Sequence, residues 1–235
     1  MKEQTKKAAR PPRGAERAAK DGRAAGRARR APASPGRAAG TDAGAARRGI
    51  PRHRLVETAM GWAWFAAADG AVVKSELPVP TRGEAEEAVA RWDGRSREDV
   101  RLLPEVAAAL ADYFAGRSRR LDAPLALDAC GDFLRRVYEE LRRVPHGEIL
   151  SYGELARRIG QPGAARSVGT ALARNPFPPM VPCHRVVAAD RSLGGFSASG
   201  GLWMKQRLLA LEGHRLRARL ERAGAAGEAV LEDAP

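Results

Sequence analysis

Apolar positions divide the chain into stretches of different period. Arg54 to Phe65 and Ala71 to Leu77 are rich in apolar residues and are joined around Asp69-Gly70. That pair takes the left-handed conformations a tight hairpin needs, so the pattern predicts two strands. Gly83 to Trp92 and Pro104 to Phe114 predict helices, the second with Val106, Leu110, Tyr113 and Phe114 along one face. Together they describe a small α/β N-terminal domain over 54–120, with Gly116-Arg117-Ser118-Arg119-Arg120 opening a linker.

The pattern turns mainly helical over 125–216. Phe133, Leu134, Val137, Tyr138, Leu141 and Val144 recur at helical spacing, and Pro145-His146-Gly147 ends that helix. Ser151-Tyr152-Gly153-Glu154 predicts a capping box and a helix from Tyr152 to Ile159. Gly160-Gln161-Pro162-Gly163 leaves room only for a short turn before a second helix, Ala164 to Ala173. A Gly/Ser loop at 194–201 then leads to a helix from Leu202 to Leu211, closed by Gly213. The predicted fold is an α/β N-terminal domain plus a mainly α C-terminal domain with a helix-turn-helix.

The second helix of that pair has unusual side chains. Ala164, Ala165, Ser167, Gly169, Thr170 and Ala171 are small, and Arg166 is the long cation near its start. A helix reading base edges in a major groove carries several Arg, Asn or Gln side chains. Small residues instead suit close docking in which shape and phosphates dominate. Arg142, Arg143, Arg157, Arg158, Arg166 and Arg174 against Glu148 and Glu154 add a local positive balance. The same composition also fits a solvated helical hairpin.

Charge over the whole chain is less informative than it looks. The net is +13, but residues 1–54 hold 16 Lys or Arg against Glu3, Glu16, Asp21 and Asp42, leaving about +1 for the rest. The first fifty residues contain no Phe, Trp, Tyr, Leu or Val, so burial there cannot offset the entropy of ordering. Residues 1–53 therefore read as a disordered basic tail: a solvated extension, an upstream start, a transit peptide or a phosphate-binding arm. Residues 217–235 read as a C-terminal extension. No stretch approaches the roughly 20 apolar residues that span a bilayer, so a cytoplasmic protein is expected.

Cys130 and Cys183 are too few for a disulfide framework, and His53, His146, His184 and His214 have no metal-ligand spacing. No metal and no cofactor are expected. Cys130 reads as a small structural residue. Pro182-Cys183-His184-Arg185-Val186 carries the sharper signal, because a neighbouring imidazole that accepts a thiol proton makes a nucleophile of an inert group. The Cys-His dipeptide by itself favours a small buried thiol beside an unrelated histidine.

Pro182-Cys183-His184-Arg185-Val186-Val187 resembles the acceptor motif of the O6-alkylguanine-DNA alkyltransferases, the methylated-DNA–protein-cysteine methyltransferases. Gly147-Glu148 to Tyr152, Ala164-Ala165-Arg166, Asn175-Pro176 and Leu211-Glu212-Gly213 fall at compatible spacing. The resemblance covers 125–216 strongly and 54–120 loosely, and it implies a role for each of several residues. Cys183 accepts an alkyl group from O6 of guanine in double-stranded DNA, His184 is the base acting through a water, and Glu212 steadies the imidazole. Asn175 is the hinge before the acceptor. Arg166 fills the space of a flipped nucleotide, and Ala165 and Gly169 lie on the same DNA-binding helix. Tyr152 serves both DNA rotation and the purine, and Ser197 and Lys205 belong to the substrate pocket. A monomer acting once per molecule is implied. In extended backbone Cys183 and His184 would point to opposite faces.

Three other readings use the same residues. A Cys-His hydrolase would attack an acyl carbon and release its intermediate to water. A DNA-binding module without repair needs only the helix pair and the tail, although Cys183 then has no task. A methylation-controlled regulator would be expected to bring a cysteine-rich zinc module, and the two cysteines here do not supply one.

Overall fold

The computed structural model describes residues 49–216. Most of the predicted basic tail and the extension at 217–235 lie outside the described residues.

Three antiparallel strands form the first layer: β1 (Arg52–Thr58), β2 (Gly61–Ala68) and β3 (Ala71–Val79). Arg54 to Phe65, predicted as a single strand, is therefore a hairpin. The chain reverses at Ala59-Met60, where Thr58 Oγ1 accepts from the Met60 amide and donates to the Gly61 carbonyl. Gly61 has φ 109°, and a Cβ there would run into the Val79 carbonyl, so the reversal depends on a residue without a side chain. The apolar run hid this turn. The Asp69-Gly70 turn is as predicted, with φ 51° and 77°. Arg52 and His53, assigned to the tail, begin β1. His53 is buried, with its Nδ1 2.9 Å from Ser96 Oγ.

Ala63 to Ala68 is buried without interruption because β2 is covered on both faces. Trp64 and Ala66 meet α1 (Arg82–Trp92) through Ala85 and Val89, while Ala63 and Phe65 face the main core. Thr81 caps α1 by accepting from the Glu84 amide, and Arg82 Nη2 donates to both oxygens of Glu98 at 2.9 and 2.8 Å. Glu98 lies in the short β4 (Arg97–Glu98), parallel beside β1, and the sheet order is β3-β2-β1-β4. α2 (Pro104–Phe114) starts on proline and buries Val106, Ala107, Leu110, Tyr113 and Phe114.

The chain then runs beside β3, where the Val72 amide donates to Pro124 O and Val72 O accepts from the Ala126 amide. α3 (Asp132–Arg142) follows. The short β5 (Leu150–Ser151) pairs in parallel with β6 (Val186–Val187). α4 (Tyr152–Arg158) opens on the predicted capping box, with both of its bonds formed, and packs on α5 (Ala165–Ala173). α6 (Gly201–Leu211) closes the described chain.

One core spans these layers, from Phe65, Val72 and Tyr113 to Tyr138, Leu155, Val168, Phe177, Cys183 and Leu208. Each such side chain contributes roughly 1.5–3 kcal/mol by leaving water. β3 also holds the segment ahead of Cys183 directly: Ser75 donates its amide to Pro176 O and its hydroxyl to Pro178 O. Among the described residues no helix is long and apolar enough to cross a membrane.

Candidate active site

Asn175, just past α5, organises the approach to Cys183. Its Oδ1 accepts from the Phe177 amide, and its Nδ2 donates to Val181 O at 2.8 Å and to Cys183 Sγ at 3.3 Å. The same side chain therefore fixes the turn and contacts the nucleophile. Cys183–Arg185 forms a single 3-10 turn, so the Cys183 and His184 side chains diverge by about 120°. A cavity of about 390 Å³ opens beside the thiol, lined by Tyr152, Gly169, Leu172, Ala173, Cys183, Gly195, Phe196 and Ser197.

Burial pushes the Cys183 thiol above its ordinary value, against the Asn175 hydrogen bond, the Lys205 charge and the His184 amide, which favour the thiolate. The resting sulfur is a thiol, and using it as a nucleophile requires a base.

Behind the thiol lies a dense charged network. Glu212 Oε1 accepts from His184 Nε2 at 3.0 Å, Tyr113 Oη at 2.8 Å and Arg185 Nη2 at 2.7 Å. Its Oε2 accepts from Arg185 Nε at 2.8 Å and the Gly147 amide at 3.3 Å. Burial alone would raise this carboxyl, but the bonds from His184 and Arg185 outweigh it and hold Glu212 well below the carboxylate range. Its place at the C-terminal end of α6 is unfavourable for an anion. The two-pronged Arg185 guanidinium supplies the compensation. Burial pushes His184 below its ordinary value, with Glu212 opposing, so the imidazole rests neutral.

The remaining predicted residues have distinct placements. Tyr152 starts α4 and lines the cavity, its hydroxyl 3.4 Å from Gly195 O. Burial, then the nearby Cys183, raise its phenol above the ordinary range. Ser197 lines the cavity and donates to Ala173 O at 3.0 Å, tying the Gly/Ser loop to the end of α5. Lys205 does not line the cavity. It is fully buried, and Nζ donates to Val186 O at 2.6 Å, Leu193 O at 2.5 Å and Gly195 O at 3.3 Å, so it braces the loop from behind. Burial pushes its ammonium down to about 8. On α5, Arg166 is exposed and its side chain makes no hydrogen bond or ion pair among the described residues; Ala165 is half-buried. Gly169 lies against the Tyr152 ring and lines the cavity, placing it at the pocket as well as on the helix.

Two members of the network were not assigned roles from sequence. Arg185 stood inside the quoted motif, and its burial beside a glutamate is visible only in three dimensions. Tyr113 stood on an apolar face; its signal was a phenol hydroxyl that needs a partner once buried. Phe196 and Leu172 join the cavity wall as apolar surfaces without a motif of their own. Among the described residues no cluster of three or more His, Cys, Asp or Glu is arranged to hold a metal ion.

Comparison with known proteins adds an independent observation. A family model described as the DNA binding domain of 6-O-methylguanine DNA methyltransferase matches residues 132–214. A methylated-DNA–protein-cysteine methyltransferase of Mycolicibacterium paratuberculosis is 47% identical over 115 residues, covering 49% of this chain and 68% of that protein. One from Methanosarcina acetivorans is 41% identical over 116 residues, 49% of this chain and 72% of its own length. The solved O6-methylguanine methyltransferase of Mycobacterium tuberculosis superposes with a TM-score of 0.57 at 32% identity, covering 72% of this chain and 97% of that one. The M. tuberculosis protein has also been solved in complex with DNA, with the same TM-score of 0.57 over 71% of this chain and 96% of that one.

Proposed function

The chain belongs to the methylated-DNA–protein-cysteine methyltransferase family, and we propose that it repairs O6-alkylguanine in double-stranded DNA by moving the alkyl group onto Cys183, once per molecule. The observation that carries this reading is the position of the Cys183 thiol. It lies in the wall of a cavity of about 390 Å³, held by Asn175, with the His184, Glu212 and Arg185 network directly behind.

The thiol proton leaves to His184 through a bridging water, and Sγ attacks the alkyl carbon. The S–C bond forms as the C–O6 bond breaks, and its electron pair passes to O6. The purine ends with one proton at N1, supplied in net by the thiol proton through His184 and solvent, while the Tyr152 hydroxyl donates a hydrogen bond to the departing purine, so in net the thiol hydrogen is exchanged for the alkyl group. Glu212 stabilises the imidazolium that forms, at a carboxylate already ionised in the resting state. The product is a thioether with no activated leaving group, which limits each molecule to one transfer.

An alkyl carbon inside stacked DNA cannot be approached in line by a protein thiol, so the nucleotide must leave the helix at a cost of a few kcal/mol. α4 and α5 act as a helix-turn-helix in this reading. The small residues of α5 permit close approach, and Arg166, exposed and without a side-chain partner among the described residues, fills the vacated position. We infer a monomer acting in the cytoplasm.

Intact mass measurement after incubation with a duplex carrying O6-methylguanine tests the reading. We expect one methylene's mass gained per protein, mapped to Cys183, and a Cys183→Ser variant that binds the duplex but gains nothing. An adduct on another residue, or repeated turnover without an adduct, refutes it.

A further inference from the structure

Tyr113 comes from the last turn of α2, far in sequence from the residues it meets. Its ring is 1% exposed, packed edge-on against Phe114 and His146. Its hydroxyl donates to Glu212 Oε1 at 2.8 Å, and the same oxygen lies 3.2 Å from His184 Nε2. A phenol hydroxyl has one proton to give. With that proton on Glu212, the oxygen meets Nε2 as an acceptor. Both neighbours of Nε2, carboxylate and phenol oxygen, then require it to carry hydrogen.

We propose that Tyr113 is a positioning residue for the transfer: from the N-terminal half it fixes His184 as the Nε2–H tautomer, leaving Nδ1 as the basic atom, and takes up part of the Glu212 charge. The proposal rests on the reading of Cys183 as acceptor and His184 as base, and adds a residue that touches neither substrate nor sulfur. The groups facing this junction are Lys205 from α6 and Glu212 at its end, Arg185 from the 3-10 turn, and His146 from the segment after α3. Tyr113 itself stays protonated, because burial and then the Glu212 charge raise its hydroxyl well above its ordinary value.

Removing the hydroxyl deletes a donor to Oε1 at 2.8 Å and an acceptor from Nε2 at 3.2 Å. The shorter bond, to an ionised oxygen, is the stronger. More of the carboxylate's charge then bears on the imidazole, and the imidazolium is favoured.

Tyr113→Phe keeps the ring and tests the idea in the full chain, with single-turnover transfer from a methylated duplex followed against pH. The expected result is a rate about tenfold lower at neutral pH, because more of the imidazole is already protonated and part of the neutral remainder carries its hydrogen on Nδ1. The acid limb should move to higher pH at unchanged duplex affinity. Nitrogen-15 spectra of the imidazole should give a single Nε2–H form in the wild type and a mixture in the variant. Phe114→Leu, on the same helix, should lower the melting temperature without moving the limb. An unmoved limb or one displaced to lower pH overturns the proposal, as does a wild-type imidazole protonated at Nδ1, which needs no variant. If the wild type fails to alkylate Cys183, the functional reading falls, while the imidazole spectra still decide the role of Tyr113.

Discussion

The two sides of Cys183 are built by opposite rules. Outward, half of the cavity wall is made of small residues, Gly169, Ala173, Gly195 and Ser197, set among Tyr152, Leu172 and Phe196, with a few polar contacts such as Ser197 to Ala173 O and the long 3.4 Å contact of Tyr152 with Gly195 O. Inward, a single carboxylate accepts five hydrogen bonds, and Arg185 adds a third bond of its own to Val144 O at 2.6 Å. A surface that must admit a large planar group benefits from little side chain to displace. A charge that must be ready before the reaction benefits from donors already in place, which need no reorganisation as charge develops. Access and electrostatics are thus tuned separately around the same sulfur.

The sharpest way to break the contrast is to remove the cation from the inner side. Arg185→Leu leaves Glu212 buried with its fork of donors gone. Breaking a buried ion pair from one end costs about 3–5 kcal/mol. Urea denaturation should show a loss of that size at neutral pH, whereas Arg95→Leu, which takes an exposed guanidinium from Asp93, should leave the urea midpoint close to wild type. Equal losses would remove the distinction between a structured interior network and ordinary surface pairs.

Much of the outward side was legible in sequence, and little of the inner network's wiring was. The Ser151 and Glu154 capping box, the short turn after α4 and the small-residue run of α5 are local patterns, and local spacing dictates them. Cys183, His184, Asn175 and Glu212 were found by motif resemblance, but the bond that joins Tyr113 to Glu212 spans 99 residues, and no periodicity encodes a contact of that range. The missed turn at Ala59-Met60 has the opposite cause. Its signal was local, a glycine after a short polar-to-apolar break, but the surrounding apolar residues on both strands outweighed it. The resemblance puts Lys205 in the substrate pocket, yet three carbonyls hold it behind the wall.

Acid sharpens the contrast more gently. The Glu212 carboxyl is lower in the folded protein than in the unfolded chain, so in the interval between the two values the unfolded state binds more protons. Its stabilisation is complete above the ordinary glutamate value of about 4.3 and is lost as pH falls toward the folded value. His184 works in the same direction, because its folded value is also lowered: its contribution is complete above the ordinary value of about 6.5 and falls as pH drops through that region. Urea midpoints measured downward from pH 7 should decline across both intervals, and Glu212→Gln should flatten the lower one at a reduced overall stability. A variant whose lower slope matched the wild type would assign the acid sensitivity to surface carboxylates instead.

The smallest effect expected belongs to the outer side, at Arg166. Its guanidinium holds no protein partner among the described residues, so Arg166→Ala should leave the urea midpoint within about 0.5 kcal/mol of wild type. Duplex affinity at low salt should fall about tenfold if the side chain occupies the position of an extruded nucleotide. That role and simple phosphate contact separate cleanly. A phosphate contact weakens all duplexes alike and reduces the salt slope by about one. Filling a vacated stack favours the lesion-bearing duplex, so the loss should be greater there than on undamaged DNA, with the salt slope changed less. Equal losses on both duplexes, with the full drop in slope, would reassign Arg166 to the phosphate backbone and leave the small residues of α5 as the main feature of that helix suited to close approach.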